Sequence, residues 1–126
     1  MLILSCNVGS TSFKYRLYDL SREERELAQG QFEGVARTEG NSRHQAPGGY
    51  QQVSDVPADS YAAAIDESLG FLRQSGALPA GSLPDAVAFK TVAALGYTGV
   101  QALTEDVLAA MEGLNTLLPA HNPPYV

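Results

Sequence analysis

The chain has 126 residues, of which 44% are hydrophobic and 17% charged, and its formal net charge is −6. These values are typical of one folded domain and exclude wholesale disorder, while the negative charge argues against a nucleic-acid-binding protein. No apolar run reaches the roughly 18 residues that a membrane span needs and we read no signal peptide, so we expect a cytoplasmic protein without a membrane partner.

The N-terminal segment predicts an antiparallel meander of three strands. Residues 2–7 form an almost continuous apolar run, in which Cys6 is expected to be a small buried hydrophobic residue. Residues 13–19 alternate between apolar and polar side chains, and 27–35 form a third strand after the solvated hairpin tip SREERE at 21–26. The expected inward face of the second strand consists of Phe13, Tyr15 and Leu17, and its outward face of Lys14, Arg16 and Tyr18.

The middle of the chain predicts a loop, a short strand and a helix. Residues 38–49 are polar and rich in glycine, which indicates a loop or a ragged hairpin, and 50–54 form a short strand. Asp59 or Ser60 caps a helix that ends at Gly76. The expected apolar stripe of this helix comprises Ala62, Ile65, Leu69 and Leu72.

The C-terminal part predicts one more strand and one more helix. Residues 85–93 are apolar and prone to form a strand, and because they follow a helix we expect a parallel neighbour in the sheet. Thr104 caps the last helix, whose buried face is expected to contain Val107, Met111, Leu114 and Leu118. The whole pattern therefore predicts an α/β domain with a mixed sheet and helices packed on it.

The turn between the first two strands contains the parts of a phosphate site. Ser10, Ser12 and Lys14 lie two residues apart, so that in extended chain their two hydroxyls and one ammonium share a face. Gly9 permits a positive φ and a close approach of the backbone to a ligand, and Asn7 adds an amide at the end of the first strand. The alternative for such a segment is an ordinary turn. The candidate phosphate-binding residues are Asn7, Gly9, Ser10, Thr11, Ser12 and Lys14.

The stretch ILSCNVGSTSFKYRLYDL resembles the N-terminal signature of the acetate kinase family, the carboxylate kinases that also include propionate and butyrate kinases. This resemblance implies the ribonuclease-H-like (actin-like ATPase) fold of the actin–Hsp70–sugar kinase superfamily. It also implies ATP and Mg²⁺ as cofactors, with Asn7, Ser10, Ser12 and Lys14 at positions close to phosphate and magnesium. Of these residues, Asn7 is the one expected next to the metal.

A second resemblance lies near the C-terminus, in ALTEDVLAAMEGLNTLLPAHNPPYV. It places His121 at the active-site histidine of the family, while Asn122 and Pro123 are expected to shape the loop. The chain departs from the family where a Gly-His-Arg-x-x-His-Gly-Gly stretch is expected, because it has AFKTVAAL at 88–95. Lys90 then occupies the arginine position, and a lysine offers one mobile charge in place of a planar fork.

By resemblance, residues 1–126 are a single domain corresponding to the N-terminal part of a two-domain kinase, without the second, nucleotide-binding domain. The implied reaction is phosphoryl transfer from ATP to a short carboxylate, which gives an acyl phosphate. The chain by itself is expected to be inactive, so the partners to consider are a C-terminal-lobe polypeptide in trans and a second copy in a homodimer. The alternatives are a degenerate, non-catalytic domain that binds phosphate or a protein, and a generic α/β domain.

Overall fold

The computed structural model describes residues 1–21, 23–90 and 94–115 and contains one sheet with helices. The strand order in the sheet is β5-β4-β3-β2-β1-β6. Its elements in chain order are β1 (Leu2–Val8), β2 (Ser12–Asp19), β3 (Arg25–Glu33), β4 (Asn41–Ala46), β5 (Tyr50–Ser54), α1 (Tyr61–Gln74), β6 (Ala86–Lys90) and α2 (Glu105–Glu112). The expected mixed α/β architecture is confirmed, with β6 placed beside β1 after α1.

The meander has more strands than the three predicted, because 38–49, expected to be a loop or a ragged hairpin, contributes the first strand of a hairpin with β5. Residues Asn41–Ala46 form β4, which pairs antiparallel with β3 on one side and with β5 on the other. Although residues 41–45 are all polar, buried and exposed side chains alternate along the strand: Ser42 and His44 point into the core, and Arg43 and Gln45 are exposed. The inward side chains are polar but fully hydrogen-bonded, so they can be buried without hydrophobic character.

The core lies on the face of β2 that the alternation predicted. Phe13, Tyr15 and Leu17 are each at most 1% exposed, whereas Lys14 and Arg16 are exposed on the opposite face. Phe13 packs against Phe32 of β3 with a ring-centroid distance of 5.9 Å. This face of the sheet is therefore the one that receives α1.

Helix α1 begins as predicted but buries a different face. The Ser60 hydroxyl accepts a hydrogen bond from the Ala63 amide, which identifies Ser60 and not Asp59 as the cap, and Gly76 has the expected positive φ after the last turn. Of the four residues predicted for the stripe only Leu72 is buried, while Ala62 and Ile65 are exposed. The buried face comprises Ala64, Ser68, Phe71 and Leu72. The shift arises because Ser68 donates to the Ala64 carbonyl at 2.7 Å, so a hydroxyl packs like an apolar group.

The chain divides into two compact units. The first consists of Met1–Asn7 and Thr11–Phe89, and the second of Val8–Ser10 with the chain from Lys90 onward. In the second unit Thr104 caps α2, and Val107 and Met111 are buried as predicted. Leu114 is half-buried, and Leu118 lies outside the described residues. In the part of the chain that the structure describes, neither helix is long and apolar enough to cross a membrane.

Candidate functional site

The predicted phosphate-binding segment is the connection from β1 to β2. Asn7 is exposed near the end of β1, and Gly9, Ser10 and Thr11 form the link before β2 begins at Ser12. The Thr11 carbonyl accepts a hydrogen bond of 2.8 Å from the Val35 amide, just after β3. This bond ties one end of the link to the sheet, so the start of β2 is held in place.

Ser12 and Lys14 lie on the same face of β2, as their spacing predicted. The residues between and after them, Phe13 and Tyr15, point into the core, and this burial forces the two polar side chains outward. Ser12 is half-buried and Lys14 exposed. The Lys14 ammonium has no hydrogen bond or ion pair with any of the described residues, so its charge is available to an anion.

The conformation expected at Gly9 is not found. The described glycines with a positive φ are Gly34, Gly48, Gly49, Gly76, Gly81, Gly96 and Gly99, and Gly9 is not among them.

Three neighbours of this segment were missed by the sequence analysis, because the register of the sheet brings them there. Gln31 lies opposite Lys14, and Arg43 lies opposite Gln31 on the next strand. Glu33 lies opposite Ser12 and is half-buried. The alternation within 41–46 was the signal that could have placed Arg43, since it marks this segment as a strand whose odd-numbered residues face outward.

The other two predicted site residues lie elsewhere in the chain. Lys90 is the last residue of β6, where it is exposed and belongs to the second unit. His121 lies outside the described residues, as do Asn122 and Pro123. The roles predicted for Lys90 and His121 therefore stay predictions.

The residues fit a magnesium ion only if phosphate accompanies it. Among residues 1–21, 23–90 and 94–115 no group of three or more histidine, cysteine, aspartate or glutamate side chains converges to hold a metal. Asn7 contributes one amide oxygen, a hard ligand of the kind that Mg²⁺ accepts. Because Mg²⁺ commonly keeps several waters and takes its other ligands from substrate phosphates, an exposed Asn7 beside a bound phosphate is compatible with it.

The cysteine of β1 is not part of a reactive site. Cys6 is only 7% exposed, and burial raises the pKa of its thiol to about 11. Since the thiolate is the reactive form, this cysteine is largely protonated and inert near neutral pH. The prediction of a small buried hydrophobic residue is confirmed.

A buried polar network joins β2, β4 and α1, and the sequence analysis missed it. The Tyr15 hydroxyl lies 2.7 Å from His44 Nδ1, and His44 Nε2 lies 2.9 Å from Glu67 Oε1. The Ser42 hydroxyl donates to the same Glu67 oxygen at 2.7 Å. Burial raises the pKa of the Tyr15 phenol, and the charge of Glu67 raises it further. The network lies under the face of β2 opposite Lys14 and holds the helix on the sheet.

Comparisons with known proteins agree with this fold. The family model described as the acetokinase family matches residues 2–126. The acetate kinase of Clavibacter michiganensis is 32% identical over 124 residues, which cover 97% of this chain and 31% of that protein. The acetate kinase of Clostridium beijerinckii is 31% identical over 129 residues and is covered to 32% of its length. The chain thus spans about a third of the curated relatives that it matches.

Solved structures give the same result. The crystal structure of Porphyromonas gingivalis acetate kinase matches with a TM-score of 0.84 and 26% identity, covering 98% of this chain and 31% of that one. A propionate kinase from Francisella tularensis matches with a TM-score of 0.78, and at 22% identity it supports the fold alone.

Proposed function

Because the chain belongs to the acetokinase family, we propose that residues 7–14 are the phosphate-binding hairpin of a carboxylate kinase. The proposed reaction transfers the terminal phosphoryl group of ATP to a short-chain carboxylate: one carboxylate oxygen attacks the phosphorus, ADP leaves, and an acyl phosphate forms. The observation that carries this proposal is the pair Ser12 and Lys14 on one outward face of β2, with no ion-pair partner for the lysine among the described residues.

In this proposal the hairpin binds and orients phosphate and forms no covalent bond to it. Lys14 supplies a point charge, and the hydroxyls of Ser10, Thr11 and Ser12 supply neutral donors. Asn7 contributes an oxygen to a magnesium ion that accompanies the phosphate. Phosphoryl transfer is catalysed mainly by such positioning and by charge stabilisation, so residues of these types suffice to bind and orient the phosphate.

Two further roles rest on the family alone. Lys90 takes the place of an arginine and would neutralise charge on the transferred group or on the carboxylate. His121 would lie beside the phosphoryl group in transfer. A lysine cannot give the bidentate contact of an arginine, so we expect weaker stabilisation of the transition state.

We propose that catalysis requires the remaining part of the kinase fold in addition to residues 1–126. The chain spans only about a third of its relatives, and β6 presents apolar residues that are exposed at the edge of the sheet. Ala86, Val87 and Ala88 are all exposed, although a run of this kind normally lies inside a sheet. The alternative is that a second copy of this chain binds to the same edge and forms a homodimer.

The first test concerns phosphate binding by the folded chain. We expect Lys14→Ala to weaken the binding of inorganic pyrophosphate by about tenfold at low salt, since it removes one charge-assisted contact of roughly 1.5 kcal/mol. Isothermal titration calorimetry would measure the affinity, and circular dichroism would verify that the variant is folded. Arg25→Ala, which removes one cation at the far end of β2 and β3, is the matched control and should change the affinity less than twofold. Unchanged affinity in Lys14→Ala would refute the proposed hairpin function.

The second test separates a kinase half from a degenerate domain. The chain is mixed with ATP, Mg²⁺, acetate or propionate, and a polypeptide corresponding to the remaining two thirds of an acetate kinase. Trapping by hydroxylamine reports the acyl phosphate, which we expect with the wild-type chain and not with Lys14→Ala. A silent mixture that nevertheless binds pyrophosphate would favour the degenerate phosphate-binding domain, an alternative supported by the replacement of the family's Gly-His-Arg-x-x-His-Gly-Gly stretch by AFKTVAAL.

A further inference from the structure

The face of the sheet opposite α1 is an open polar surface within the first unit. Around Lys14 the described residues on this face of β2, β3 and β4 are polar or charged, while the half-buried Tyr18 and Leu27 lie where the register between β2 and β3 shifts. Such a face does not suit a hydrophobic partner, and its charges decide what it can bind.

The central row of this face carries two cations. Lys14, Gln31 and Arg43 lie directly opposite one another on β2, β3 and β4, and we refer to them as the cationic row. All three side chains are exposed. Neighbouring strands are about 4.8 Å apart, so the backbones of Lys14 and Arg43 are separated by roughly 10 Å, with the Gln31 amide between them.

Both cations of the row are available to a ligand. Like Lys14, Arg43 has no hydrogen bond or ion pair with the residues that the structure describes. In the adjacent row Arg16 is held by Glu26 at 3.5 Å. Glu33, two residues after Gln31 in β3, accepts a long contact of 3.5 Å from the Gln31 amide.

From this arrangement we infer that the cationic row extends the phosphate site across the open face and selects anions with several linked phosphates. This inference rests on the proposed function, because Lys14 belongs to both. A single orthophosphate occupies the Ser12 and Lys14 end only. A linear triphosphate is long enough to contact the Gln31 amide and the Arg43 guanidinium as well, and the planar fork of the arginine suits a terminal phosphate.

The charge of the row is distinct from that of the whole molecule. The chain carries a net charge of −6, so unselective attraction of polyanions is not expected. Lys14 and Arg43, which have no ion-pair partner in the described part of the chain, flank a neutral amide and create a local positive strip, which a linear polyphosphate complements along its length. Arg43 is thereby a specificity-determining residue that discriminates by ligand length.

The test compares orthophosphate with tripolyphosphate as probes of the whole chain. We expect Arg43→Ala to lower the affinity for tripolyphosphate by about fivefold, the upper end for one exposed charge contact, and to leave orthophosphate binding unchanged within twofold. Arg43→Lys should restore part of the loss. Arg25→Ala again serves as the control with the same change in charge. NMR shifts of the backbone amides would report whether tripolyphosphate perturbs Gln31 and Arg43.

The outcomes distinguish this inference from the proposed function. If Lys14→Ala weakens both probes while Arg43→Ala weakens neither, the hairpin function stands and the extended row is refuted. Equal losses in Arg43→Ala and Arg25→Ala would also refute it, because they would show a general charge effect. If Lys14→Ala changes the affinity for neither orthophosphate nor tripolyphosphate, the proposed function is refuted, and the inference that rests on it is refuted as well.

Discussion

Gly30→Ala is expected to lower the free energy of unfolding by about 3 kcal/mol, because the sheet has no room for one methyl group at this position. A Cβ on Gly30 would lie 2.5 Å from Tyr15 Cζ and 2.7 Å from His44 Nδ1. It would therefore push apart the two side chains whose hydrogen bond closes the buried network. Thermal unfolding followed by circular dichroism should show a decrease in Tm of roughly 10 °C for a domain of this size.

Gly70→Ala is the matched control for this prediction. Gly70 lies in the interior of α1, and a Cβ built there meets no atom within 4 Å. The same chemical change should here stabilise the chain by up to about 1 kcal/mol, since alanine has a higher helix propensity than glycine. If both variants shifted Tm in the same direction, the close contact at Gly30 would not be the cause.

His44→Ala is expected to be still more destabilising, at about 4 kcal/mol, because it removes packing and hydrogen bonds together. The His44 ring stacks on Phe71 at 5.0 Å and meets the edge of Phe32 at 5.2 Å. Since the carboxylate of Glu67 can only accept, Nε2 donates to it and Nδ1 is left to accept from the Tyr15 hydroxyl. Without the imidazole that buried hydroxyl has no acceptor.

Urea unfolding would measure the loss of unfolding free energy in His44→Ala. A double-mutant cycle with Tyr15 would isolate the contribution of the hydrogen bond between the two side chains. Gln45→Ala, a change at the exposed neighbour in β4, should stay within about 0.5 kcal/mol. His44→Leu and Tyr15→Phe together should cost less than the sum of the two single changes, since the pair leaves no polar group unpaired. A cost below about 1 kcal/mol for His44→Ala would contradict a structural role of the network.

The parts of the site that lie close together in the chain were predictable from the sequence. Asn7 to Lys14 is one continuous segment, and the alternation around Phe13 and Tyr15 sufficed to place Ser12 and Lys14 on one face. The parts contributed by other strands were not predictable in this way. Arg43 reaches the site only through the register of β2 with β3 and of β3 with β4, which depends on turn geometry and core packing.

Two features that the sequence did not place share one physical cause. The segment 38–49 stayed open between a loop and a ragged hairpin, and the buried face of α1 was misplaced, because polar residues were assigned to solvent. Ser42, His44 and Ser68 are all buried; Ser42 and His44 find their partner in Glu67 of α1, and Ser68 finds its partner in the Ala64 carbonyl of its own helix. A prediction from hydrophobic periodicity assigns polar residues to solvent because burying them costs free energy. It does not include the hydrogen bonds that offset this cost in the folded chain.

The sequence alone determined the strand–turn–strand beginning, a helix cap at Asp59 or Ser60, the cap at Thr104, the burial of Cys6 and the family, because each depends on short-range pattern or on motif. Tertiary structure decided which face of α1 meets the sheet, that β4 exists as a strand, and that Arg43 stands in line with Lys14. These features depend on contacts between residues of different elements, such as Lys14 with Gln31 and His44 with Glu67, whose energies no local pattern contains.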